Sequence, residues 1–218
     1  MIVAIDGPSA SGKSTIGRML ARHLRLPLVD TGLMYRAITV LAQDGGIDAA
    51  DADALGALAE ASELEVNTTT EDGSHWEIRA NGNDLSARVF DPSLAPVLTR
   101  VSQAERVRTA LVARQRAYAQ PGVVMVGRDI GTVVFPNADL KLFITASDDE
   151  RRRRRARQRR ESDSGLMKGE ISDRDAADQG RALSPLRPAE DAFTIDTDDR
   201  SPVQVFTEVL GLIPPGIG

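Results

Sequence analysis

Apolar residues recur along this chain in two rhythms. The runs at 2–5 (Ile2, Val3, Ala4, Ile5) and 123–126 (Val123, Val124, Met125, Val126) have no polar alternation, as expected of strands covered on both faces. Residues 140–145 and 193–196 read as two further strands, and 27–29 as a short one. Between them the spacing turns helical. Ile16, Met19, Leu20 and Leu24 share one face of a helix predicted over 13–24. Further helices are predicted over 33–42, closed by Asp44-Gly45-Gly46, and over 51–62, 93–103, 105–118, 148–162, 169–180 and 202–212. Asp30-Thr31-Gly32 reads as a strand-end turn. Strands alternating with helices predict a mostly parallel sheet. Residues 63–86 depart from that rule. Val66 and Thr68–Thr70 favour strand, His75–Arg79 alternates, and Asn81-Gly82 is a hairpin turn. This predicts a small antiparallel insert with Trp76 as its local core.

The first strand–helix boundary carries the chemistry. Gly7-Pro8-Ser9-Ala10-Ser11-Gly12-Lys13-Ser14, followed by Thr15, completes a G-x-x-x-x-G-K-S loop between a predicted strand and a predicted helix. Its glycines let the backbone curl its N–H groups toward phosphate oxygens. The helix opening at Lys13 adds the positive end of its dipole. Lys13 is placed to bridge β- and γ-phosphates, and the Ser14 hydroxyl to ligate Mg²⁺. That context favours a nucleotide site over a glycine-rich turn without a ligand. Asp30, Thr31, Arg128 and Asp129 stand at predicted strand ends, where open α/β sheets bind ligands. Arg36 lies one helical turn past Thr31-Gly32. Arg174 and Arg181 share a helix face and flank Asp178. Converging on a cleft, these arginines would neutralise two sets of phosphates and a phosphoryl group in flight. Each alone reads more readily as a surface ion pair than as a functional group.

Composition narrows the classes. An apolar fraction of 41% and a charged fraction of 27% suit a soluble globular protein, and the lack of cysteine excludes disulfides and thiolate metal sites. Met1 leads straight into a strand with no long apolar segment anywhere. The expected location is therefore the cytoplasm, with no membrane partner. A net charge of −5 argues against a general nucleic-acid binder. Yet Arg151–Arg155, Arg157, Arg159 and Arg160 form a basic run. It reads as a solvated helix face, an RNA-binding patch, or a lid closing over ATP. No aromatic residue is interleaved, which weakens the RNA reading. A lid would exclude water, a competing acceptor for the γ-phosphate.

The motifs IDGPSASGKST, DTGLMYRA, GRDIGTVVFP and RALSPL, spread from residue 2 to the last helix, resemble those of bacterial cytidylate kinases. The resemblance implies a P-loop NTPase-type α/β fold: a parallel sheet flanked by helices, with a small antiparallel insert in the nucleoside-monophosphate lobe and a helical lid. It implies a core of 1–30, 121–147 and 190–212, an acceptor lobe over about 31–118 and a lid over about 148–170. The implied activity is ATP- and Mg²⁺-dependent phosphorylation of CMP and dCMP, with small nucleotides as partners, no stable nucleic-acid partner and a monomeric state. Carried over by position, Arg36, Arg128 and Arg181 look like the acceptor-phosphate clamp. Thr99, Arg108 and Asp129 look like base readers, and Asp178 with Arg174 the ribose contact. Thr31, Tyr35 and Gly127 fall within the acceptor-site motifs. Lys13, Arg128, Arg174 and Arg181 are the expected catalytic group.

The chain departs from the family pattern at four places. Thr99 stands where serine is common, Ala177 where arginine is common, and Ser14 where glycine is frequent; the segment 160–170 is several residues short. From the residues alone two other functions stay open. One is a P-loop kinase with a different small acceptor. The other is a nucleotide-gated switch that binds RNA through the 151–160 helix.

Overall fold

The two unbroken apolar runs become neighbours at the centre of one sheet. The computed structural model describes residues 1–68, 76–161 and 186–214. The helix predicted over 169–180, the outer part of the predicted lid, and Arg174, Ala177, Asp178 and Arg181 lie outside the described residues. Strand β1 (Ile2–Asp6) lies between β6 (Val123–Gly127) and β7 (Leu140–Thr145). With β2 (Leu28–Asp30) and β8 (Phe193–Asp196) the order is β2-β6-β1-β7-β8, every pair parallel.

Alternate residues of each central strand serve opposite faces. Val3, Ile5, Val124 and Val126 pack with Leu20 of α1 (Lys13–Leu24) and Val205 of α7 (Pro202–Leu210). Ala4, Val123 and Met125 pack with Met34 of α2 (Thr31–Asp44) and Leu111 of α5 (Glu105–Ala117). Covering on both sides is why these strands read as continuous apolar runs.

Helix α2 begins two residues before the apolar pattern does. The Asp30 carboxylate accepts from the Gly32 amide at 3.0 Å and caps the helix, so the expected turn at Asp30-Thr31-Gly32 is its first turn. Helix α3 (Ala52–Ala61) follows, capped by Asp51. The insert is antiparallel as predicted, with β3 (Leu64–Thr68), β4 (Trp76–Ala80) and β5 (Asn83–Asp84). Trp76 is more than its local core, since its half-buried ring packs against both main core clusters. Two 3-10 turns, Arg88–Phe90 and Pro92–Leu94, then delay the start of α4 (Ala95–Gln103). Ser147 caps α6 (Asp148–Glu161), its hydroxyl accepting from the Glu150 amide at 3.3 Å.

One element has no sequence signal. After β6, Ile130–Val134 forms a π-helical turn, closed by the Phe135 amide on the Ile130 carbonyl at 2.7 Å. No helix among the described residues is long and apolar enough to cross a membrane.

Candidate active site

The Gly7–Ser14 loop leaves β1 at the sheet centre and enters α1. Gly7 has φ of +152°, and a Cβ there would lie 2.0 Å from the Ile144 carbonyl oxygen, so only glycine lets the loop lie against β7. Gly12 (φ +94°) precedes a helix that has no side-chain N-cap, which suits its first turn to an anion. Three loop carbonyls accept from arginines: Gly7 from Arg128 at 2.6 Å, Ser9 from Arg151 at 3.2 Å and Ser11 from Arg154 at 3.3 Å. The Lys13 ammonium donates to the Pro8 carbonyl at 2.8 Å. The Ser14 hydroxyl donates to Asp30 at 3.0 Å. The Ser11 hydroxyl is buried with no protein partner, an orphan polar atom inside the loop.

Cavities flank the loop on two sides and meet at Ala10. The first, about 220 Å³, opens at the carboxyl ends of β1, β2 and β6. The loop contributes Ser9, Lys13 and Ser14 to its wall. Helix α2 brings Thr31, Tyr35 and Arg36, and the end of β6 brings Gly127, Arg128 and Asp129. Thr31 is tied to this strand end, its hydroxyl donating to the Val126 carbonyl at 3.1 Å. Arg36 donates to the Val89 carbonyl at 2.9 Å, fixing the 3-10 turn that carries Phe90 to the rim.

Arg108 and Asp129, separated by 21 residues, meet as a buried ion pair. The Arg108 guanidinium also lies over the Tyr35 ring, 5.7 Å from its centroid, and donates to the Ser102 carbonyl at 3.3 Å. Thr99 stands apart from its two expected co-readers. Its hydroxyl donates to the Ala95 carbonyl at 3.2 Å, while Ser102, one turn later on α4, lines the cleft.

The second cavity, about 310 Å³, has Gly12 and Thr15 on its loop side. Arg154, Thr197, Arg200 and Val205 form the facing wall. Thr197 braces it, donating to the Ser11 carbonyl at 3.1 Å and accepting from Arg154 at 2.8 Å. The basic run of α6 is thus divided. Arg151 and Arg154 turn inward to the loop, whereas Arg152 and Arg153 are exposed and lie 3.4 Å from Asp149 and Glu150.

At the end of β1, just before the loop, lies Asp6, 4% exposed. Its carboxylate accepts from the Ile130 amide at 2.7 Å and the Gly131 amide at 2.8 Å. Burial pushes its pKa up to about 7; the two amides and Lys13 pull it down, and the Asp129 charge raises it further. Sequence reasoning missed Asp6, although a lone carboxylate closing an apolar strand before a P-loop was a signal. It also passed over Phe90, Ser102 and Thr197 and the bond between Ser14 and Asp30, which depend on contacts distant along the chain.

Comparison with known proteins agrees with this geometry. The family model described as Cytidylate kinase matches residues 3–214. A cytidylate kinase of Herpetosiphon aurantiacus is 42% identical over 217 residues, covering 97% of this chain and 93% of the relative. One of Syntrophotalea carbinolica is 40% identical over 218 residues, covering 98% and 92%. A bifunctional pantoate ligase/cytidylate kinase of Synechococcus is 41% identical over 216 residues; the match covers 97% of this chain but 40% of that longer protein. With a P-loop at the sheet centre and a polar cleft beside it, the chain belongs to the cytidylate kinase family of nucleoside monophosphate kinases.

Proposed function

We propose that this enzyme transfers the γ-phosphoryl group of ATP to CMP and dCMP, releasing ADP and CDP or dCDP. One observation carries the acceptor assignment: the buried Arg108–Asp129 pair stands in the wall of a cleft that also holds Lys13, Arg36 and Arg128. A carboxylate held by an arginine accepts from the exocyclic amino group of cytosine, while the guanidinium donates to the ring acceptors. Uracil would turn a carbonyl toward that carboxylate and leave both buried oxygens unsatisfied.

The acceptor phosphate is anionic at neutral pH, so no general base is required. One of its oxygens bonds to the γ-phosphorus as the bond to the β-bridging oxygen breaks, and that electron pair leaves on ADP. Arg36 and Arg128 hold the acceptor phosphate in line, joined by Arg181 as the resemblance implies. Lys13 exchanges the Pro8 carbonyl for the donor phosphates. Asp178 with Arg174 would hold the ribose. The second cavity, with Thr15, Arg154 and Thr197 on its wall, suits the donor nucleoside.

The oxygens present fit Mg²⁺: the Ser14 hydroxyl faces the cleft with the Asp30 carboxylate 3.0 Å away, hard donors beside the phosphate loop. When bound there, the ion supplies charge neutralisation between the phosphates. Among the described residues no cluster of three or more His, Cys, Asp or Glu offers a self-contained metal site, so the nucleotide would complete the coordination. The enzyme is expected to act as a monomer.

The test is ADP release with ATP and Mg²⁺ against CMP, dCMP, UMP, AMP, GMP and dTMP. Rapid turnover restricted to CMP and dCMP is the expected result. Comparable turnover with UMP would overturn the role given to Asp129.

A further inference from the structure

Asp6 touches neither cavity in the mechanism above, yet it is a carboxylate buried where an apolar residue would cost less. Its surroundings suggest what it is for. In the register of the sheet Asp6 sits beside Gly127, so the chain leaves both strands at the same level. From β1 it continues into Gly7 and the phosphate loop. From β6 it continues into Arg128, Asp129 and the π-helical turn. Two reciprocal links then join these exits. The Asp6 side chain receives the backbone amides of residues 130 and 131, and the Arg128 side chain donates to the backbone carbonyl of Gly7. Arg128 and Asp129 are held between the two links.

We propose that Asp6 is a positioning residue for the acceptor site: by clamping the amides of Ile130 and Gly131 it fixes where Arg128 and Asp129 stand relative to the phosphate loop. The inference rests on the acceptor-site reading above. Its physical content is directional. A carboxylate has two acceptor oxygens for two N–H donors, so both backbone groups are satisfied at one fixed spacing. An amide in its place offers one acceptor and turns an N–H₂ toward the second N–H. The turn must then shift, carrying Asp129 away from Arg108 and the base. Small displacements of orienting groups cost large factors in binding and rate.

Asp6→Asn tests this at pH 8. Expected are a rise of about tenfold in KM and in the calorimetric Kd for CMP, a smaller CMP-over-UMP preference, and a KM for ATP within about twofold of the parent. Equal losses for donor and acceptor would make Asp6 a general support of the fold; no change in either would remove any role. Both outcomes overturn the proposal. Gly131→Ala covers the case in which Asp6→Asn does not fold. A Cβ there would make an ordinary contact at 3.4 Å with the Asp6 carboxylate and a tight one at 3.2 Å with the Lys141 side chain, so the turn that holds the clamp must give slightly while its charge stays. It should reproduce the selective CMP defect at smaller size, and parallel changes in both substrates would again overturn the assignment. Failure of the parent enzyme to use CMP at all would instead strike the acceptor-site reading.

Discussion

The cavities on the two sides of the P-loop are built differently. On the acceptor side the recognition groups are buried and bonded to each other: Arg108 to Asp129, and Asp6 to the turn that follows Asp129. On the other side Arg154 braces backbone and Thr197, Arg200 reaches the exposed Glu208, and Ile16 and Val205 supply an apolar wall. Buried, mutually satisfied polar groups reject a wrong ligand because it leaves them unpaired. An apolar wall edged by partly exposed arginines discriminates little among nucleosides. With the cavities assigned as proposed, this contrast predicts that selectivity lies with the acceptor.

The hardest blow to that contrast is Asp129→Ala. It leaves the Arg108 charge buried without its carboxylate. The free energy of unfolding in urea should fall by about 3–5 kcal/mol, and the CMP-over-UMP preference should collapse. Combining Arg108→Met with Asp129→Leu should restore most of the stability but not the preference. A single variant that keeps its base preference would place recognition elsewhere.

The pH response separates the two sides next. Asp6 has an ordinary pKa of 3.8 and a folded value of about 7, so the folded protein holds this proton more tightly than the unfolded chain does. Stability from this group is therefore complete below pH 3.8 and is lost as the pH rises toward 7, by up to about 4 kcal/mol. Asp129 and Lys13 are the charged groups that act on it. Between pH 5 and pH 8 the stability difference between the parent and Asp6→Asn should move toward the variant by about 2–3 kcal/mol. Movement toward the parent would mean that the two amides outweigh burial.

Arg154→Ala sharpens the contrast from the donor side at the smallest cost. It removes one ligand of the Ser11 carbonyl and part of the second cavity wall. KM for ATP should rise about tenfold while KM for CMP stays within about twofold. A larger effect on CMP would show that the loop transmits strain across to the acceptor cleft.

Features governed by local rules were legible in the sequence. The loop motif, the buried strands and the hairpin turn at Asn81-Gly82 follow from spacing and backbone preference, and the structure has them where they were expected. Arg108 and Asp129 were each expected at the acceptor base, but their ion pair joins α5 to the end of β6, and no periodicity connects residues so placed. The π-helical turn was invisible because its β-branched residues read equally well as strand, and its stabilising partner, Asp6, lies 124 residues from Ile130. Thr99 and Ser102 lie within one turn of each other on α4, so small differences in helix rotation decide which hydroxyl reaches the cleft.

The arginine tethers of the phosphate loop have a mechanical consequence. Arg151 and Arg154 tie the first two turns of α6 to the carbonyls of Ser9 and Ser11, and Arg154 also binds Thr197 beyond β8. A rigid swing of the helix from its first residue would break all of these bonds and distort the loop just as it must hold the nucleotide. The start of α6 is thus fastened to the phosphate loop at two points, and these bonds oppose any swing of the helix about residue 148.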